Sequence, residues 1–185
     1  MKRVNKKLPL NKLLKKVEPQ KADICQRIII DYGDHIRTIP GSLGKHHAWV
    51  GGYISHVEES MNLAVILYDD LNSRRRLPFS LSDALFALFL HDFDKIIRYE
   101  RKQNGEVSSK TYEGDYVDQI DQILSSKYGY RLASEERNAI KYAHGEGSDY
   151  HPTDRVMLPL ATLVHCCDII SARIWFDEGR EHSSW

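Results

Sequence analysis

The segment Leu81–Leu90, LSDALFALFL, is apolar on every side once past Ser82 and Asp83 in its first turn. A helix with no polar face has nothing to offer water and must sit in the middle of a core. The rest of the chain therefore has to wrap around this segment, and the residues directly after it start out in the interior. Those residues are His91-Asp92. A carboxylate buried beside an imidazole is costly unless it is paired, and a divalent cation is a partner that both side chains can grip.

The other segments supply the wrapping. Ile24, Ile28, Ile29 and Ile36 recur near a 3.6-residue period, which predicts a helix from Lys21 to about Ile39, ending before Pro40-Gly41. Trp49–Leu71 predicts a long second helix with Val50, Ile54, Val57, Met61, Ala64, Val65 and Tyr68 on one face and His56 at that face's edge. Pro78 and Ser80 introduce the central helix, Leu81–His91. Asn104-Gly105 is a turn signal that predicts a short β-hairpin or a loop after the His-Asp pair. Asp115–Lys127 and Ser134–Ala143 predict amphipathic helices, the second capped by Ser134. After the Gly-rich GEGSDYHP, Thr153 or Asp154 is expected to open the last helix, with Val156, Leu160, Leu163, Val164, Ile169, Ile170 and Ile174 facing the core. The expected fold is an all-α bundle with a short β-hairpin after the His-Asp pair.

A chain of 185 residues suits one domain. We read residues 1–19 as a basic N-terminal arm and 20–185 as that domain. Lys2, Arg3, Lys6, Lys7, Lys12, Lys15 and Lys16 face only Glu18 in the first 18 residues, while Leu10, Leu13, Leu14 and Val17 fall at helical spacing. The segment reads as a solvated, partly frayed terminus, as a basic arm that attracts phosphate or nucleic acid, or as a short amphipathic helix docked on the body. Pro9, Asn11 and Lys12 interrupt any secretory signal and no apolar run is long enough to cross a bilayer, so a cytoplasmic protein without a membrane partner is expected. Cys25, Cys166 and Cys167 lie in apolar helical surroundings and read as reduced core thiols.

His56 and Asp168, each embedded in an apolar helical pattern, complete a candidate shell of His56, His91, Asp92 and Asp168. Two imidazoles and two carboxylates from separate helices leave room for water or substrate on a divalent ion, and such an ion lowers the pKa of water and neutralises phosphoryl oxygens. Asp92 would orient or deprotonate that water. Lys95, one turn after His91, and Arg98 have the reach and charge to bind phosphate. His144, near Glu146, is a candidate general acid or a helix cap. His47 either completes the phosphate pocket or packs, and His165 reads as a core histidine that orients a ligand. Mixed nitrogen and oxygen donors admit Mn, Fe, Co, Ni, Zn or Mg. Because His56 and His91 must be neutral to bind, affinity is expected to fall as the pH drops through about 6.5.

The order His56, His91-Asp92, Asp168 resembles the HD superfamily of metal-dependent phosphohydrolases. HHAWVGGYISH, HDFDKI, KTYEG, AHGEGSDYHPTD and LVHCCDIISA are similar to segments in the HD domains of YhaM-type 3′-5′ exoribonucleases, over roughly Lys45–Arg173. The resemblance implies an all-helical HD domain that hydrolyses phosphoesters. This chain departs from that pattern at Asp94, where the family carries Gly, at Gln119, where it carries a further histidine, and at Ala143-His144, where it often carries two histidines. The missing imidazoles imply one ion rather than two.

The leading expectation is hydrolysis of a nucleoside 5′-monophosphate or a (deoxy)nucleoside triphosphate. The alternative is a phosphodiesterase or 3′-5′ exonuclease acting on RNA, single-stranded DNA or a cyclic nucleotide, with the N-terminal arm and Arg74, Arg75 and Arg76 steering the polyanion. A third reading is a binding domain that keeps its ion for stability. Trp175 and Trp185 either form the seam of a homo-oligomer or cover the body of the fold.

Overall fold

The structure, a computed structural model, describes residues 7–111 and 114–175. Its elements are α1 (Leu10–Leu13, continuing into a 3-10 turn), α2 (Pro19–Ile36), α3 (Gly52–Arg74), α4 (Leu81–Leu90), α5 (Phe93–Arg98), β1 (Tyr99–Arg101), β2 (Val107–Ser109), α6 (Tyr116–Tyr128), α7 (Ser134–Lys141) and α8 (Pro159–Arg173). The fold is an all-α bundle with one small antiparallel hairpin among the described residues.

α4 occupies the centre. Ala84 to Leu90 are all buried, and the helix packs against α2, α3, α7 and α8. Ser80 starts it with a reciprocal cap: its hydroxyl accepts from the Asp83 N–H at 3.1 Å, and the Asp83 carboxylate accepts from the Ser80 N–H at 3.0 Å. Lys21 of α2 ties the same end to α7 by bonding Asp83 at 2.6 Å and Glu136 at 2.8 Å. Phe86 of α4 is wholly buried, so truncating it to Ala would cost about 3–5 kcal/mol.

Residues 8–17 belong to the packed body. Leu13, Leu14 and Val17 are buried, the Leu8 N–H donates to Asn62 Oδ1, and the Leu10 N–H donates to Glu58 Oε1, each at 2.8 Å. The docked amphipathic helix therefore describes this stretch, while Lys2, Arg3 and Lys6 lie outside the described residues. Trp185 also lies outside them, as do Tyr112 and Glu113 of KTYEG.

Several boundaries differ from expectation for local reasons. α3 begins at Gly52, because Gly51 adopts φ 79°, a left-handed conformation that closes the preceding loop. Val50, expected on the core face, lies before the helix and is exposed. α7 is capped from Ala133, with the Glu136 carboxylate accepting the Ala133 N–H at 2.9 Å, so Glu136 does the capping and the Ser134 hydroxyl bonds Glu135 instead. α8 starts at Pro159, a residue suited to a helix's first position, and 151–158 run irregularly before it. Ile169 of α8 and Ile174, just past its end, face outward. Cys25 and Cys167 are buried free thiols, but Cys166 is exposed.

After α4 the chain kinks at His91-Asp92 and continues as α5, which runs into the hairpin. The hairpin pairs Tyr99 with Ser109 and Arg101 with Val107, and Gly105 takes φ 85° at the Asn104-Gly105 turn. The kink matters for the site. Neighbouring side chains on an unbroken helix diverge by about 100°, whereas here the His91 imidazole and the Asp92 carboxylate turn to the same place.

Candidate metal centre

Three segments converge where α4 ends. α3 brings His56, the α4–α5 kink brings His91 and Asp92, and α8 brings Asp168. His56 Nε2 lies 3.2 Å from His91 Nε2, 3.0 Å from Asp168 Oδ1 and 3.7 Å from Asp92 Oδ2. His91 Nε2 lies 3.5 Å from each carboxylate. Donors about 2.1 Å from a common ion are separated by about 3.0 Å in a cis-octahedral arrangement and about 3.4 Å in a tetrahedral one. The five separations scatter around those values, so the cluster could hold a metal ion.

The hydrogen-bond directions agree with that fit. The Leu88 carbonyl can only accept, so its 2.7 Å contact with His91 Nδ1 places the proton on Nδ1 and the lone pair on Nε2. Ser171 donates its single hydroxyl proton to Glu59 Oε2 and must therefore accept from His56 Nδ1, 2.9 Å away. Both imidazoles thus turn an Nε2 lone pair toward the other, which is repulsive unless a cation or a proton lies between them. In the metal-free protein a proton takes that place. Burial works against a charge on His91, but Asp92 and Asp168 outweigh it and push its pKa up to about 9. His56 moves the other way, because its burial outweighs the same carboxylates. Asp168 is depressed: burial opposes ionisation, and the hydrogen bonds and charges of His56 and His91 overcome it. Asp92 is also held well below the usual carboxylate range, against burial, by Lys95, His91 and His144.

Lys95 is not on the open side of this cluster. It is buried, with Nζ 2.5 Å from Asp92 Oδ2 and 2.7 Å from the Gly41 carbonyl, so it clamps a candidate ligand to the 41–52 loop. Arg98 pairs with Asp94 at 3.2 Å. Burial and the charge of Asp92 raise the Asp94 carboxyl. His47 is buried, with a left-handed backbone (φ 48°) and Nε2 3.2 Å from Glu59 Oε2, though not aligned as a hydrogen bond. Its carbonyl accepts from the Gly41 N–H at 2.8 Å and closes the loop over Gly52, where an added Cβ would fall 1.8 Å from that carbonyl. The Gly51-Gly52 pair is therefore a steric requirement of the loop. Gln119 is half-buried on α6, its Oε1 without a hydrogen-bond partner among the described residues.

A cleft of about 420 Å3 opens onto the cluster, lined by Lys45, His46, His144, His165, Asp168, Ile169, Ala172 and Arg173. His144, just past α7, places Nε2 3.2 Å from Asp92 Oδ1 and is half exposed. Burial disfavours its charge, but Asp92 raises its pKa above the ordinary value. His165 donates from Nδ1 to the Ala143 carbonyl at 2.8 Å, leaving Nε2 as an acceptor. His46 is pushed down to about 3 by burial and by the neighbouring His56 and Lys95, and stays neutral. His and Asp groups close enough to hold an ion include His56/His91/Asp92 and His91/His144/Asp168, and also His46/His47/His56.

Sequence reasoning gave no role to His46, Lys45, Glu59, Ser171 or Arg173. For two of them a signal was present. Glu59 stands three residues after His56 and Ser171 three after Asp168, the helical spacing that puts two side chains on one face.

No family model matches the chain, and no solved structure matches it. It is 24% identical over 146 residues to dihydroneopterin 2′,3′-cyclic phosphate phosphodiesterase of Methanocaldococcus jannaschii. The match covers 79% of this chain and 56% of that protein, so the chain spans little more than half the length of the curated relative it resembles.

Proposed function

We propose that this chain is a divalent-metal-dependent hydrolase of the HD-superfamily kind that cleaves small-molecule phosphodiesters. The observation that carries the reading is the convergence of His56, His91, Asp92 and Asp168 at 3.0–3.7 Å, beside an open cleft. The bound ion supplies Lewis acidity, which activates water and neutralises a phosphoryl oxygen. His56, His91, Asp92 and Asp168 hold it, and Lys95 fixes the Asp92 carboxylate. Lys45 and Arg173, exposed on the cleft wall, form no ion pair among the described residues and supply the charge that attracts the substrate's phosphate. In hydrolysis the water oxygen bonds to phosphorus and gives up a proton to solvent, the P–O bond to the leaving oxygen breaks, and His144 gives that oxygen its proton and regains one from solvent.

Two observations favour a diester over the nucleoside mono- or triphosphate expected from the sequence. The relative is named for its action on a 2′,3′-cyclic phosphate. The second bears on the triphosphate only: an alkoxide leaving group, which a monophosphate also expels, needs a proton of the kind His144 would supply, whereas a departing pyrophosphate needs it far less.

The test strips the protein with chelator, reloads it with Mn2+, Fe2+, Co2+ or Zn2+, and offers nucleoside 2′,3′-cyclic phosphates, bis(p-nitrophenyl) phosphate, nucleoside mono- and triphosphates and a labelled oligonucleotide. Metal-dependent opening of the cyclic diester is expected, lost at least a thousandfold in His91→Ala and Asp168→Ala. Turnover confined to the mono- or triphosphates would return the assignment to a nucleotide phosphatase, and shortening of the oligonucleotide alone would make the protein an exonuclease. Lys45→Ala/Arg173→Ala is expected to raise KM about tenfold or more with little change in kcat, since it removes attraction common to ground and transition states.

A further inference from the structure

Behind His56 lies a polar chain that the hydrolytic chemistry does not use. Glu59, Ser171 and His47 are each no more than 1% exposed. Glu59 sits on α3 and Ser171 on α8, so the contact between them bridges two helices packed against each other. The Ser171 hydroxyl donates to Glu59 Oε2 and accepts from His56 Nδ1 at 2.9 Å. Glu59 Oε2 has the His47 ring nitrogen 3.2 Å away on its other side. A buried carboxylate with so few donors costs stability.

We propose that Glu59 and Ser171 are positioning residues for the ligand His56, acting as a carboxylate–hydroxyl–imidazole relay that sets the affinity of the centre for its ion. This rests on the metal-site part of the functional reading and not on the choice of substrate. The relay acts in three ways. It disfavours the His56 tautomer that carries a proton on Nε2, which Asp168 Oδ1 at 3.0 Å would otherwise accept, because Ser171 has already spent its only donor on Glu59. It fixes the rotation of the ring, which the packing of His46 and His47 at 4.8 and 5.1 Å between ring centroids does not fix by itself. It also passes negative charge toward Nδ1 and makes Nε2 a stronger donor, as carboxylates bonded to ligand imidazoles do. His91 has only a neutral carbonyl in the equivalent position. The two histidines are therefore unequal, and His56 is the one tuned by a buried charge.

The test measures binding of the ion alone. Co2+ is titrated into chelator-stripped protein by calorimetry and by its visible d–d absorption, in the wild type, Ser171→Ala, Glu59→Gln, the double variant and Ser171→Thr, which keeps the hydroxyl. Outer hydrogen-bond partners of this kind change metal affinity by about 10–100-fold. We expect Ser171→Ala to weaken binding by that factor with an altered Co2+ spectrum, and Glu59→Gln to weaken it less. The double variant should be no worse than Ser171→Ala, because the two residues act in series through one hydroxyl. In 15N NMR of the metal-free protein at alkaline pH, His56 should show one tautomer in the wild type and a mixture in Ser171→Ala. Ser171→Thr covers the case in which the alanine variant misfolds: a folded threonine variant should stay within a few-fold of wild type. Wild-type affinity and spectrum in both Ser171→Ala and Glu59→Gln would overturn the relay while leaving the hydrolase reading intact. A wild-type protein that binds no divalent ion would overturn both.

Discussion

Asp92→Asn tests the electrostatics of the centre without an ion or a substrate. The amide matches the carboxylate in shape, so the core stays filled and only charge is lost. Asp92 is fully buried, with Lys95 at 2.5 Å, His91 at 3.5 Å and His56 at 3.7 Å around Oδ2, and His144 at 3.2 Å from Oδ1. The dominant charge beside it is Lys95, itself buried, whose other hydrogen bond among the described residues is to the Gly41 carbonyl at 2.7 Å. Breaking a buried pair by neutralising one member costs about 3–5 kcal/mol. At about 2–4 °C per kcal/mol for a chain of this size, the melting temperature in excess chelator at pH 7 should fall by roughly 6–20 °C. Circular dichroism melts of the wild type, Asp92→Asn and Asp92→Asn/Lys95→Met make the comparison. The double variant should recover most of the loss, because it removes the stranded ammonium as well. An Asp92→Asn protein melting at or above the wild type in chelator would refute this reasoning. It would mean that repulsion among Asp92, Asp94 and Asp168 outweighs the attraction of Lys95 and the imidazoles.

The remaining tests concern protons, the acid and the loop. His91 has a pKa of about 9 in the metal-free fold against about 6.5 unfolded. Its contribution to stability is thus full below pH 6.5 and lost as the pH rises through about 9, which chelator-treated melts across that range should show. Since an ion must displace that proton, metal affinity should weaken about tenfold for each unit the pH falls below about 9, so competition begins well above the 6.5 expected for an ordinary imidazole. Calorimetric affinities that stay constant from pH 9 to pH 6 would exclude His91 as a ligand. His144→Ala should lower kcat by about 10²–10⁴ on esters with alkoxide leaving groups, and much less on p-nitrophenyl esters, whose leaving oxygen needs no proton. Equal losses on both would remove His144 as the acid. Gly52→Ala drives a methyl to within 1.8 Å of the His47 carbonyl and should destabilise the protein by about 2–4 kcal/mol through the displaced loop and its lost hydrogen bond, visible as a lower melting temperature.

The amino-acid order alone determines the helices and the middle of the fold, because both are set by short-range periodicity. LSDALFALFL can only be central, and a polar pair at its end can only be interior, so His91-Asp92 stands out in the sequence by itself. His56 and Asp168 are legible for the same reason, as polar residues embedded in apolar helical patterns. The caps are less legible: one residue of offset moves the cap of α7 from Ser134 to Ala133, and Pro159 overrides the earlier start expected for α8. Tertiary structure alone decided how the charges are used. Lys95 and Arg98 have the reach for a phosphate, but they are drawn to Asp92 and Asp94, the nearest buried carboxylates. Lys45 and Arg173, which look like ordinary surface cations in sequence, are the ones left facing the cleft. The Glu59–Ser171–His56 chain joins residues 112 and 115 positions apart. Periodicity places a residue on a face of its own helix and carries no information about which distant face meets it, so contacts of that span exist only once the helices have packed.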